Sequence, residues 1–302
     1  MASDVAITPP RAAGGLADRL SGFLAYCRTS PMLPAGILIL MVLLCVGWIG
    51  PHLVDPAQAA PTSVLPDQPP SREFPLGTDD QGRNLAASIV VGMPLTLRVG
   101  FIAGAIALGV GTVLGFLAGY VGGVVDLIVR GLSDILLTVP ALIVLVTIAS
   151  SIKGNITVGV EAFVVASLAW MWPTRTIRSQ VLTLRERAYV QIAKLSGMRT
   201  RHIIFVELIP NLLPYLAASF VTSTSAAVLA SIGLEALGLG PQNEPTLGMT
   251  IYWAISFNAL IRGLWWWWAV PIILLGLLFM SLFLISAGLD AIANPRAHRA
   301  RR

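Results

Sequence analysis

Charged residues are scarce in this 302-residue sequence, at 12% against about 25% for an ordinary soluble domain. With 56% of residues hydrophobic and a mean hydropathy of +0.79, that scarcity excludes a wholly water-exposed surface. Cysteine occurs only as Cys27 and Cys45, about five helical turns apart, which excludes a disulfide within one helix. Histidine occurs only as His52, His202 and His298, too scattered for a Cys/His metal cluster or a nucleophile–base site. Lysine occurs only as Lys153 and Lys194, and neither follows a G-x-x-x-x-G-K loop, so the chain is not expected to hydrolyse ATP. No aromatic-interleaved basic patch accompanies the net charge of +5, so nucleic acid is not an expected partner. The first apolar run starts late, is too long for a signal peptide and lacks a clear small-residue cleavage site before Pro51.

What the sequence has is long apolar runs. Roughly 20 residues at about 1.5 Å rise cross a ~30 Å hydrocarbon core. Six runs approach that length, near 33–53, 95–117, 125–149, 158–172, 212–234 and 264–287, which predicts an all-α integral membrane protein with about six transmembrane helices. Residues 55–85 are rich in proline and acid and read as a solvated loop. Residues 247–260 are apolar but short, and read as an interfacial dip. The expected organisation is a segment 1–30, a first helix and outer loop over 31–90, a core over 91–290 with a basic loop at about 178–211, and a basic tail over 291–302.

Charge sets the expected orientation. Six spans place fifteen of the twenty Lys and Arg on the side of both termini; the other five are Arg72, Arg83, Arg98, Lys153 and Arg262. The positive-inside rule then makes both termini cytoplasmic. Trp265, Trp266, Trp267 and Trp268 fall at the outer end of the last span, where an aromatic belt is expected.

Several polar or small residues interrupt the spans. Gly111, Gly115 and Gly119 repeat at four-residue spacing, which lets backbones approach closely, within the chain or at a seam with a second membrane subunit. Asp126, Arg130 and Asp134 share one helical face, where Arg130 can pair with both acids. Ser219, Thr222, Ser223, Thr224 and Ser225 either bond back to helix carbonyls or line a polar translocation path.

The basic loop is the most informative stretch. Arg185–Leu195 suits a short helix, and Gly197 stands where a helix C-terminus needs positive φ. A second helix through Glu207-Leu208-Ile209-Pro210 leads into the fifth span. A short helix held between two spans can transmit force.

That loop resembles the EAA loop of bacterial ABC import permeases, E-A-A-x3-G-x9-I-x-L-P. Here it reads Gln191-Ile192-Ala193, three residues, Gly197, nine residues, Glu207-Leu208-Ile209-Pro210; Gln191, Ile192, Glu207 and Ile209 depart from the pattern. The stretch Phe74-Pro-Leu-Gly-Thr-Asp-Asp-Gln-Gly-Arg83-Asn84 is similar to H-P-L-G-T-D-x-x-G-R-D of the C-type subunit in the dipeptide/oligopeptide/nickel subfamily. Phe74 and Asn84 replace its His and Asp. Gly119–Asp126, Leu237–Gln242 and Gly288–Arg296 look like the same subunit, so the resemblance covers roughly 30–296.

The resemblance implies a type I ABC importer permease fold, with Tyr189, Gln191, Ala193, Lys194 and Gly197 in the loop that couples to the ATPase. It implies a homologous B-type permease, two cytoplasmic ATPase subunits or one fused ATPase, and an extracellular solute-binding protein. ATP and Mg would be used by the ATPase subunits, with no cofactor or metal held by this chain. Relatives carry dipeptides, oligopeptides, glutathione or nickel chelates, and short peptides are the expected cargo. A secondary transporter or channel is the alternative, expected to show interrupted repeats and buried coupling carboxylates. Neither stands out in the sequence.

Overall fold

The computed structural model describes residues 31–293, so the expected segment 1–30, with Cys27, and the tail from 294 lie outside the described residues. Over the described residues the chain is helical, apart from one isolated antiparallel bridge between Thr78 and Asn84. Helix α1 spans Met32–Ile49 and is apolar all round. Helix α2 spans Leu85–Phe116 and runs on as a π-turn to Val121. It starts ten residues before the expected apolar run, because Asn84 caps it: the side-chain oxygen accepts the Ala86 N–H at 3.0 Å.

Helices α3 (Gly123–Thr138) and α4 (Ala141–Ser151) occupy the expected third span, but they meet at 86°. The single straight span expected there is corrected. Pro140 offers no N–H and drives Val139 into extended backbone, φ −82° and ψ 131°, so the helix cannot continue. Helix α5 (Val158–Ala169) passes at Trp170 into α6 (Met171–Arg185). Helix α7 (Ala188–Leu195) is followed by a helical segment over 200–208, then α8 (Ile209–Ala236). Helices α9 (Leu247–Ser256) and α10 (Trp265–Ala293) complete the described chain. Among the described residues four helical runs are long and apolar enough to cross a membrane, or five if α3 and α4 count as one.

Helix α2 is the hub, packing on α8, α6, α5 and α1, while α10 pairs with α1 and α8. Leu43, Ile89, Met93, Val228, Leu247 and Leu278 meet where five helices converge. Gly111, Gly115 and Gly119 face α6 of the same chain. A Cβ there would stand 2.6 Å from Pro173 Cβ, 3.0 Å from Ile177 Cβ and 3.0 Å from the Arg178 carbonyl oxygen. The expected pairing of Arg130 with both neighbouring acids is also corrected. Asp126 is taken by Arg178 as a two-pronged pair (Nη2–Oδ2 2.7 Å), and Asp134 by Arg175 at 3.6 Å. Both partners come from α6, and a planar guanidinium fits a carboxylate with two parallel bonds.

The stretch 55–85 is solvated over most of 55–75, as expected, but its end, 77–85, is an ordered and largely buried cap. Thr78, Asp79, Arg83 and Asn84 are all buried. Asp79 Oδ1 accepts the Arg83 N–H at 2.7 Å, and Asn84 Nδ2 donates to Gln58 Oε1 at 2.7 Å. The Arg83 guanidinium lies 3.7 Å from the Trp253 ring centroid, joining the cap to α9 by a cation–π contact. Gly77 turns the chain at φ +75°, and a Cβ there would come within 2.6 Å of the Trp266 ring. Asn84 replaces an aspartate of the family pattern without loss, since both cap a helix equally well.

Two of the four consecutive tryptophans depart from the aromatic-belt expectation. Trp267 is fully buried and stacks on Phe257, and Trp266 is buried with its Nε1–H donating to the Thr78 carbonyl at 3.2 Å. Trp266 fixes the cap to α10, and Trp267 fixes the end of α9 to it.

The cap carries its own pH dependence. Burial pushes the Asp79 carboxyl up from 3.8 to about 6, against the opposing pull of the Arg83 N–H and its charge. The folded cap therefore holds this proton more tightly than the unfolded chain does. Its stabilisation is complete below the ordinary carboxylate range and is lost as pH rises through about 6. At about 1.4 kcal/mol per pKa unit the loss is about 3 kcal/mol at most. Proteolysis of the 55–85 segment is expected to be slower at pH 5 than at pH 7.5. Asp79→Asn, which keeps the acceptor, should flatten that difference; an unchanged difference in the variant would contradict it.

Candidate functional site

Helix α7 begins after Arg187, whose backbone is extended, and ends in a Schellman motif. The Met198 N–H donates to the Ala193 carbonyl at 3.1 Å, and the Gly197 N–H to the Lys194 carbonyl at 3.0 Å. Gly197 sits at φ +77°, as its position in the sequence requires. One face of α7 is buried: Val190 and Ala193 pack with Ile177, Val181, Ile203 and Leu208. The other face leaves Leu195 87% and Ile192 63% exposed, beside exposed Tyr189 and Lys194. Gln191, where the EAA pattern has glutamate, donates through Nε2 to the Arg185 carbonyl at 3.1 Å and so ties α7 to α6. Ala193 is thus a packing residue of the chain itself, and a charge placed there would test folding rather than docking.

Two contacts join this unit to the end of α2. Arg185 Nη1 donates to the Gly119 carbonyl at 3.0 Å, and Lys194 Nζ lies 5.5 Å from the Tyr120 ring centroid. Helix α7 is thus tied to α2 as well as continuing along the chain into α8.

A cavity of about 340 Å³ opens between α4, α5, α6, α8 and α10. Its wall is mostly apolar, with hydroxyls from Thr176, Ser219, Thr222 and Ser223 and a carboxyl from Asp290. Thr222 and Ser286 share a hydrogen bond at 2.9 Å across α8 and α10. The five hydroxyl residues of α8 are therefore divided. Ser219, Thr222 and Ser223 reach the cavity, whereas Thr224 is buried against Gly104 of α2 and Ser225 lies off the cavity wall. Two of the wall hydroxyls also bond back to helix carbonyls, Thr222 to Ala218 at 3.1 Å and Thr176 to Pro173 at 3.2 Å.

No sequence pattern singled out Glu161 on α5 and Glu235 on α8, which meet in the interior. The one available signal was a lone glutamate inside Val158-Gly-Val-Glu161-Ala-Phe-Val-Val165.

The family model for binding-protein-dependent transport system inner membrane components matches residues 111–299, more than half the chain. The chain belongs to this family. It is therefore a multi-pass permease of the bacterial cell membrane, with the type I ABC importer permease fold. The permease is similar to the dipeptide transport system permease protein DppC of Alkalihalophilus pseudofirmus, 31% identical over 207 residues, 68% of this chain and 67% of that one. It is 29% identical to the oligopeptide transport system permease protein OppC of Mycobacterium bovis over 236 residues, 78% of this chain and 80% of that one. It is also 29% identical to the probable D,D-dipeptide transport system permease protein DdpC of Escherichia coli, across 87% and 86% of the two chains.

Proposed function

We propose that this permease forms half of the translocation path of an ATP-driven importer of di- and oligopeptides. Its partners are a homologous B-type permease, two ATPase subunits or one fused ATPase, and an extracellular solute-binding protein. The observation that carries the reading is α7, a short amphipathic helix ending at a fixed Gly197 turn, with Leu195 and Ile192 bare on its outer face. Closure of the ATPase subunits around ATP and Mg pushes α7. The push passes through Arg185 and Lys194 to α2 and through segment 200–208 to α8. The α8 hydroxyls then face the cavity first from one side of the membrane and then from the other. Peptide cargo is supported by the names of the similar permeases and by a path wall that mixes apolar surface with hydroxyls.

Deletion of the gene should abolish growth on short peptides as sole amino-acid source. Unaffected growth, with nickel or another solute becoming limiting instead, would contradict the peptide reading.

The proposed topology has six crossings, counting the bent α3–α4 pair as one and α5 continued by α6 as another, with both termini in the cytoplasm and the 55–85 cap outside. A single cysteine at position 70, on a background lacking Cys27 and Cys45, should react with an impermeant reagent in intact cells, and cysteines at 185 and 300 should not. Labelling at 185 would overturn the orientation.

A further inference from the structure

The least explained feature of the interior is a pair of acids. Glu161 stands in the first turn of α5, and Glu235 is the penultimate residue of α8. Their exposures are 1% and 0%. The two carboxyls lie within hydrogen-bonding reach of one another, and none of their four oxygens completes a well-formed hydrogen bond, although donors stand close by. Ser231, one turn before Glu235, lies beside both carboxyls; it is fully buried and its hydroxyl has no partner either. Three buried polar groups therefore share one site.

The surroundings are built around this pair. Gly248, at the start of the ten-residue helix α9, gives way to the Glu235 carboxyl, whose Oε2 a Cβ there would overlap. Gly240 leaves room on the other side, where a Cβ would stand 2.6 Å from Glu235 Cγ. Thr246 and the Met249 N–H of the first turn of α9 also approach Glu235.

Two carboxylates in contact and sealed from water cannot both keep their charge without a counter-charge. Among the described residues no cation faces them, and Lys153, in the α4–α5 connection, is exposed. Helix α4 has no ionisable residue, and the one on α2, Arg98, is exposed. On α6, Arg175 and Arg178 pair with acids of α3, and Arg185 reaches Glu186 and the Gly119 carbonyl. On α9 the ionisable residue is Tyr252, whose ring lies against Gly238. On α10 the ionisable residue with a described side chain is Asp290, which lines the cavity. The remaining neighbour is a further acid, Glu244, which repels charge on Glu161.

We propose that Glu161 and Glu235 form a sealed proton-binding site, in which one proton held between two carboxyls fastens α5 to the α8–α9 turn. One carboxylic acid donates to one carboxylate, and the Ser231 hydroxyl gives the second bond the carboxylate needs. The first-turn amides of α9 favour charge on Glu235, which leaves the proton on Glu161. The site is closed, so the proton is a fixture of the fold and not a coupling ion, and it holds whatever the cargo is.

Infrared spectroscopy of the full-length chain in lipid nanodiscs at pH 7.5, with any partner subunits that co-purify, tests this directly. The wild type should show the carbonyl stretch of a protonated carboxylic acid. That band should be missing from Glu161→Gln, should shift but persist in Glu235→Gln, where burial keeps the proton on Glu161, and should be unmoved in Glu244→Gln. Raising the pH should remove the band and lower the melting temperature of the wild type. The melting temperature of Glu161→Gln, whose amide donates without a titrating proton, should stay unchanged. If only one Gln variant folds, the wild-type band with its loss in Glu161→Gln, or with its shift in Glu235→Gln, still decides. A wild-type spectrum holding only carboxylate bands would overturn the proposal. So would a melting temperature that rises with added sodium or calcium, which would make the occupant a metal cation.

Discussion

Gly197→Val is expected to abolish uptake while leaving the chain in the membrane at near-normal abundance. Gly197 sits at φ +77°, and no atom lies within 4 Å of where a Cβ would stand. The cost is therefore backbone strain, on the order of 1–3 kcal/mol for a β-branched residue held at positive φ. It cannot be relieved by moving a neighbour. The chain escapes it by abandoning the Schellman turn, with loss of the Met198-to-Ala193 and Gly197-to-Lys194 hydrogen bonds. Helix α7 then ends at another angle, and Leu195 and Ile192 no longer present one face to an ATPase. Gly197→Asn should be far milder, since asparagine tolerates this conformation. Abundance, ATPase co-purification and uptake are to be measured on the same samples. Normal uptake per inserted Gly197→Val molecule would show that α7 is not the coupling element.

Gly92→Val should do the reverse. Gly92 lies inside α2 with ordinary helical geometry, but a Cβ there would overlap the Pro245 carbonyl oxygen and stand 3.3 Å from Thr246 Cα. Overpacking costs about 1–3 kcal/mol where side chains can yield, and here the obstacle is backbone. The displaced loop carries Thr246, which caps α9, and the Leu247 N–H, which donates to Thr96 Oγ1 at 3.0 Å. Membrane abundance is expected to fall severalfold, with uptake falling in proportion. Normal abundance would mean that α2 and this loop are not held together as the structure has them. One type of substitution thus yields two phenotypes, because one glycine serves a turn and the other a close approach.

What the sequence made legible follows from how local each feature is. The α7 turn was readable because a helix, a glycine and a second helix lie within one short stretch, and Gly197 has the required φ. The apolar runs were readable by length, yet Val139-Pro140 broke the third one. The residue before a proline is pushed towards extended backbone, a signal that the hydrophobicity of 125–149 masked. Features that join distant segments were not readable. Asp126 finds its arginine 52 residues away on α6, although Arg130 stands one turn from it. Gly77 needs its turn beneath Trp266, which comes 189 residues later, so the cap read as a solvated loop. The division of the α8 hydroxyls between the cavity and α2 depends on Gly104, and Glu161 meets Glu235 only after α5 and α8 pack.

The most direct test of ATP-driven import is uptake of a labelled dipeptide into proteoliposomes holding this permease with its partner subunits and loaded binding protein. Uptake should require ATP, cease when the Walker lysine of the ATPase is replaced, and persist when the proton gradient is collapsed. Uptake that continues without ATP and follows the proton gradient would contradict it.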